Sequence, residues 1–545
     1  MKLPQPGIDL AKNEWLFLIL LLLAALLLRF TNIAATSLWI DELYSFMVAN
    51  GRLPPEILPT TVQSAAVWAK QGIAWQHLSW PTLLEALKIN VHMPLYYLLL
   101  NPWLNWFGTS TVGLRSFSAV ISTLLLIPLY FLGRSIGGSR QAGFLVLLVG
   151  ALAPFQIYYA QEGRMYALSM FWTAWASLAL WKTLFARNFR WWGLAYAVSV
   201  IFGFFSHYMF AFVAAFHGLY VLAWLFTGSQ DAPAEAVQTV AQKKARFLIL
   251  GLAALLLGLA LWWWWPIYRI QHQGLDEEYH FAKGLVKWHR YVSLPLWQPL
   301  VMIAGSNNWE RVFYFPLMLV CWILGFFTPK FAAIKDKKPQ NALLKKEAFL
   351  GAWIFIPLLL QIAYDYCNNT HISVMDRYVL VIAPAMVVWL GLALNSILAY
   401  HRSARFPVLA CLLGMLIMAI LNVWAPSPFR DEHNKTKDIR RQMNYIAAHA
   451  QPRDLVLVNG PWGSHLMAAY YLNISKPDQP ILYWMSPYRH QQYPLPSQAL
   501  LRAYDRVWLF TYRSTNERGL RQISQALTTL YPHMQVTPSW RLFSP

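Results

Sequence analysis

Residues 15–30 read WLFLILLLLAALLLRF, and a short polar stretch then leads into Trp39-Ile40-Asp41-Glu42. A run of that length without acidic residues suits a helix in hydrocarbon, where every backbone polar group must be satisfied inside the segment. No small-residue cleavage site follows it and many further apolar runs do, so it reads as a retained anchor rather than a signal peptide. Two adjacent carboxylates beside an interfacial tryptophan, where a helix leaves the membrane, admit two readings. They are a hydrated helix end, or a base in a partly desolvated site, where the carboxyl pKa rises toward a useful range.

Composition agrees with lipid as solvent. The 545 residues are 57% hydrophobic and 12% charged, against about 25% charged in soluble globular proteins. The formal net charge of +20 comes from basic residues flanking apolar runs. Positive-inside bias and anionic headgroups account for such flanking, and no nucleic-acid partner is expected. Cys321, Cys367 and Cys411 lie in or beside apolar segments, without the spacing of a metal or redox pair.

About eleven runs reach the length of about 20 apolar residues that a span needs. They centre on 15–33, 115–133, 142–159, 167–186, 191–206, 209–226, 247–268, 312–328, 348–366, 378–399 and 406–424. Basic turns at Arg134 to Arg140, Lys182 to Arg190, Lys243 to Arg246, Lys330 to Lys346 and His401 to Arg405 all fall on one side when the N-terminus is cytoplasmic. His92 to Gly108 is apolar as well, but counting it as a span would turn Arg134 and Arg140 outward. It is therefore placed as an interfacial or re-entrant helix on the outer face. The expected organisation is a membrane domain over 1–428, with a first outer loop at 34–114. A soluble α/β domain over 429–545, with a mainly parallel sheet, lies outside.

That threading sends scarce charges to the outer interface. Glu162-Gly163-Arg164-Met165-Tyr166 fills a tight turn between spans, where Glu162 and Arg164 either pair or serve a ligand. Asp376-Arg377-Tyr378 heads the tenth span. There Arg377 either snorkels to the headgroups or meets a lipid phosphate through two parallel hydrogen bonds. His92, Tyr96 and the His207-Tyr208 turn also face outward and are either site walls or interfacial packing. Trp262 to Trp265 reads as an aromatic belt. Asp276-Glu277-Glu278 with His272 and His280 matches no trusted metal spacing.

The pattern resembles the GT-C fold glycosyltransferases, in the prokaryotic branch related to protein O-mannosyltransferases and lipid A aminoarabinose transferases. The carriers are Asp41-Glu42, His92-Met93-Pro94-Leu95-Tyr96-Tyr97 through Trp106 and Gly108, Arg115, Glu162 to Tyr166 and Arg377-Tyr378. They cover about residues 15–210 well and the later spans loosely. The resemblance implies an enzyme that moves a sugar, with inversion, from a polyprenyl-phosphate donor to a lipid, glycan or protein acceptor on the outer face of a prokaryotic plasma (inner) membrane. It makes Asp41 the general base, with Glu42 its neighbour and Glu162 the second acidic position. Arg164 and Arg377 would hold the lipid phosphate, with Tyr166, His92, Tyr96, His207 and Tyr378 around the substrate. No Asp-x-Asp arrangement of the metal-using oligosaccharyltransferases occurs, so no metal ligand is assigned, and a divalent metal cofactor stays open but is not favoured. The alternatives are a transporter or flippase for lipid-linked glycans, which would carry polar groups near the bilayer midplane, and an O-antigen ligase or polymerase.

Overall fold

The computed structural model describes residues 12–52, 62–72, 74–75, 80–227, 240–272, 323, 341–368, 370, 372–400, 405–424, 439–460, 463–484, 495–512, 517–536 and 540–544. The chain forms two compact units. The first is Met1–Ile33, Lys88–Leu99 and Val112–Phe429; the second is Ala34–Leu87, Leu100–Thr111 and Arg430–Pro545.

In chain order the elements begin with α1 (Lys12–Phe30), α2 (Ile40–Ala49), β1 (Val62–Ser64), α3 (Ala65–Gly72), α4 (Trp80–Ile89) and α5 (Leu95–Phe107). There follow α6 (Thr111–Leu124), α7 (Leu126–Gly137), α8 (Arg140–Leu152), α9 (Pro154–Ala160), α10 (Tyr166–Phe185), α11 (Phe189–Ser206), α12 (Phe210–Thr227) and α13 (Val240–His272). Next come α14 (Asn341–Asn368), α15 (Ala383–Tyr400), α16 (Arg405–Trp424) and α17 (Ile439–His449). The tail continues as β2 (Asp454–Asn459), α18 (Ser464–Ser475), β3 (Pro480–Trp484), α19 (Gln498–Leu501), β4 (Arg506–Thr511), α20 (Glu517–Leu530), β5 (His533–Val536) and β6 (Trp540–Ser544).

The first unit is helical, and each predicted span within the described residues carries a helix. Among those residues five helices are long and apolar enough to cross a membrane, or six if the bent pair α8 and α9 is one span. The chain is an integral membrane protein. The predicted span 312–328 and the 273–311 loop, with Asp276 to His280, lie outside the described residues. At 13 residues, α5 rises only about 20 Å at 1.5 Å per residue, short of a hydrocarbon core.

Polar ties fix the two ends of this unit. Glu14, buried at the start of α1, meets Arg134 at 3.4 Å, Arg140 at 3.2 Å and the Tyr130 hydroxyl at 2.6 Å. The first helix start and the α7–α8 turn thus share one end, as the charge alternation requires. At the other end of α1, Gln161 donates from Nε2 to the carbonyls of Arg29 and Thr31, both at 2.8 Å.

The apolar run 15–30 carries one charge, and Arg29, in the last turn of α1, is wholly buried. Pro154 explains it. The α8–α9 pair bends by 59° because proline has no N–H for the carbonyl four residues back and its ring crowds that carbonyl. Arg29 donates to the freed end, with Nη2 to Gly150 O at 3.2 Å and Nη1 to Ala151 O at 3.3 Å, while Nε reaches Ser122 Oγ at 3.0 Å.

The second unit is built on a six-stranded sheet in the order β1-β3-β2-β4-β6-β5. Only β3, β2 and β4 run parallel; β6 and β5 extend one edge antiparallel and β1 closes the other against β3, Val62 opposite Leu482. The sheet is therefore mixed, and its edge strand comes from the first loop. Leu455, Leu457, Leu482, Leu509, Ile523 and Leu527 form its core. Asp454 is buried at one strand end and satisfied there by Arg506 Nη2 at 2.7 Å and Trp508 Nε1 at 2.8 Å. His465 of α18 is enclosed by the rings of Trp68, at 4.6 Å, and Tyr483, at 4.5 Å.

Candidate functional site

The turn between α9 and α10 is the centre of the polar end of the first unit. It is tight, with Arg164 N–H donating to Glu162 O at 2.8 Å. Gly163 is required there, because a Cβ would lie 2.6 Å from Leu114 Cγ. Gln161 ties the turn to α1 as described, and Ser118 Oγ of α6 donates to Arg164 O at 3.2 Å. Arg115, buried in α6, donates to Ile33 O at 2.9 Å. So anchored, the turn buries both Glu162 and Arg164, at 4% and 2% exposure, a depth that charges occupy only with a specific task or partner.

Arg164 Nη2 lies 3.0 Å from His92 Nε2. A guanidinium only donates, so His92 Nε2 accepts and the neutral ring carries its proton on Nδ1. The Arg164 guanidinium carbon also sits 5.9 Å from the Tyr166 ring centre. Tyr166 neighbours Tyr159 at 5.3 Å and His207 at 6.1 Å, and His207 in turn neighbours Tyr378 at 5.9 Å. Arg377 closes the chain of contacts, its guanidinium carbon 5.2 Å from the Tyr378 ring. Tyr96 is fully buried behind, against Tyr97 and Phe117 at 5.5 Å each.

His207 senses this arrangement. It caps α11, and burial, then the fields of Arg164 and Arg377, push its imidazole down to about 3. The ring is neutral at physiological pH between two cations and two phenol rings.

Arg377 and Tyr378 reach the cluster through a segment that Asp365 organises. This buried carboxylate at the end of α14 accepts from Thr370 Oγ1 at 2.5 Å, Ile372 N–H at 2.9 Å and Ser373 N–H at 2.8 Å. Gln361 adds a bond from Nε2 to Tyr378 O at 3.1 Å. The sequence signal for Asp365 is an acidic residue closing an apolar span. Arg29 carried a similar signal, a charge within an apolar run.

The structure therefore brings together Arg164, His92, Tyr166, His207, Tyr378 and Arg377, with Glu162 on the same turn. Asp41 and Glu42 belong to the second unit, in the first turn of α2. Glu42 is fully buried and its Oε2 accepts the Trp39 N–H at 3.2 Å, which stabilises the helix start. Asp41 is half-buried beside it. Among the described residues no group of three or more His, Cys, Asp or Glu side chains converges as a metal cluster would.

No family model matches the chain, and no curated protein matches it. Among solved structures it is similar to ArnT from Cupriavidus metallidurans in the apo state, at 13% identity and a TM-score of 0.54, over 97% of each chain. It is similar to the same protein bound to undecaprenyl phosphate at 14% identity and a TM-score of 0.50, over 98% of each chain. The archaeal oligosaccharyltransferase AglB from Archaeoglobus fulgidus aligns at 11% identity and a TM-score of 0.47, over 92% of this chain and 70% of that one. The near full-length match to ArnT extends over span region and tail alike, and the chain has the GT-C fold.

Proposed function

We propose that this chain is a membrane glycosyltransferase that takes a sugar from a polyprenyl-phosphate donor and passes it to an acceptor on the outer face. The observation that carries the reading is the pair of arginines, Arg164 and Arg377, set about a neutral histidine and aromatic walls in a membrane-embedded unit. Fixed guanidinium groups suit a phosphate at headgroup level. Undecaprenyl phosphate in the ArnT structure, on the same fold, supports the same ligand class.

The chemistry needs little from the protein beyond position and charge. As the anomeric carbon leaves its phosphate oxygen, both electrons of that bond go to the lipid phosphate, and the arginines stabilise the charge that gathers there. Asp41 takes the proton of the acceptor hydroxyl as its oxygen bonds to the anomeric carbon from the opposite side, which gives inversion. Glu162, on the same turn as Arg164, is the second acidic group and acts on the donor sugar. The acceptor is a lipid, glycan or protein hydroxyl or similar nucleophile, and the membrane is the plasma membrane of a prokaryote. The N-terminus faces the cytoplasm, and residues 429–545 face outward.

A transporter would use polar groups deep in the spans as a substrate path. His217 is such a group, but it commits its ring to ties between helices, to Ser177 Oγ at 3.1 Å and Tyr196 Oη at 3.3 Å, and Arg29, in the last turn of α1, serves the Pro154 break. The deciding experiment is radiolabelled sugar transfer in membranes carrying Asp41→Asn at wild-type level. Transfer should disappear; undiminished transfer would remove Asp41 from the base role.

A further inference from the structure

We infer that His207, fixed as its Nε2–H tautomer, is the neutral third donor of the lipid-phosphate seat, turned toward an oxygen that the two arginines leave unserved. The inference rests on the phosphate reading above and adds to it a donor that carries no charge.

The tautomer follows from one hydrogen bond. Met209 N–H donates to His207 Nδ1 at 3.1 Å, so Nδ1 must present its lone pair. A neutral ring then carries its single proton on Nε2. That nitrogen is buried and has no hydrogen-bond partner among the described residues. Buried donors are satisfied almost without exception, and an orphaned one calls for an explanation.

The surroundings say what would satisfy it. The ring stands between Tyr166 and Tyr378, each of which carries one arginine over its face. A cationic occupant is excluded by that pair of charges, and an apolar one would leave the N–H orphaned. An anionic acceptor answers all three groups. A phosphate presents more free oxygens than a carboxylate, so two guanidinium groups plus one N–H suit its tetrahedral array better than a planar anion. A neutral donor also has a kinetic merit over a third cation: it adds direction without adding charge that would retard release of the lipid phosphate after transfer.

Binding of undecaprenyl phosphate and of undecaprenol to the purified full-length protein in nanodiscs tests this directly. Wild type should bind the phosphate more tightly than the alcohol. His207→Phe, which keeps a ring but deletes the donor, should weaken phosphate binding about tenfold and leave the alcohol unchanged. His207→Gln, whose amide N–H reaches a similar position, should recover most of the loss. Equal phosphate affinity in wild type and His207→Phe would overturn the inference, as would equal losses for both lipids or a failure of the glutamine variant to recover. No preference for phosphate in wild type would overturn the donor reading itself, a result distinct from the other three.

Discussion

Arg29 Nη2 donates to the carbonyl of Gly150 at 3.2 Å, the carbonyl that residue 154 would serve were it not proline. A buried cation thus stands in for a missing backbone N–H at the bend that precedes the α9–α10 turn.

That substitution predicts coupling between two distant positions. Arg29→Met should destabilise the protein by about 1–3 kcal/mol, the usual loss when a buried acceptor is orphaned. In a Pro154→Ala background, where an N–H returns to the helix, the same change should cost less. Thermal melting of the four proteins in detergent measures the difference. Strict additivity would show that the arginine does not replace that donor.

Arg164→Gln and Arg377→Gln should each weaken polyprenyl-phosphate binding by about 1.5–3 kcal/mol, the range for a hydrogen bond to a charged group. Lysine at either position should restore only part, since a point charge lacks the planar fork. Isothermal titration at low and high salt is the check. Losses confined to one arginine would assign the phosphate to that one alone.

Asp365→Ala should reduce phosphate binding without touching the ligand. Its carboxylate holds Thr370, Ile372 and Ser373, and the segment they form delivers Arg377. Asp365→Asn keeps an acceptor and should lie between wild type and alanine. Faster proteolysis after residue 368 in the alanine variant would accompany the loss; unchanged proteolysis and binding would sever Asp365 from the site.

In the second unit, acid should weaken the fold through His465. Burial pushes its imidazole from an ordinary 6.5 down to about 3. The unfolded chain takes up a proton below about pH 6.5 that the folded chain refuses. Stability is therefore full above that pH and falls as pH drops toward 3, by up to about 1.4 kcal/mol per unit. Melting of wild type and His465→Phe between pH 7.5 and 5 should show a shallower slope in the variant. Identical slopes would mean that the ring is not kept neutral.

Much of this could be read from residues alone, and the reasons differ by region. An apolar run such as 15–30 declares itself because solvation by lipid acts on every residue of the helix. In the tail, 454–459 and 506–511 are strands buried on both faces, which read as short apolar runs, and 517–530 is a helix that buries one stripe. The strand at 62–64 was not foreseen. Three residues carry no period, and their structure comes from pairing with residues 480–482. The bend at Pro154 is visible as a proline, but its repair by Arg29 depends on a partner in another helix. At the site, Arg164, His92, Tyr166, His207, Tyr378 and Arg377 stand on separate stretches of sequence, and the structure joins them. Glu42 has a role that composition does not show: its Oε2 accepts the Trp39 N–H at the start of α2.

The pairing of Val62 with Leu482 also sets a timetable. While the ribosome is still adding the later helices, the strand at 62–64 has nothing to lie against. Its sheet is completed only when residues 480–482 have been made. Nascent chains released before that point would carry an unpaired strand, a target for chaperones and proteases.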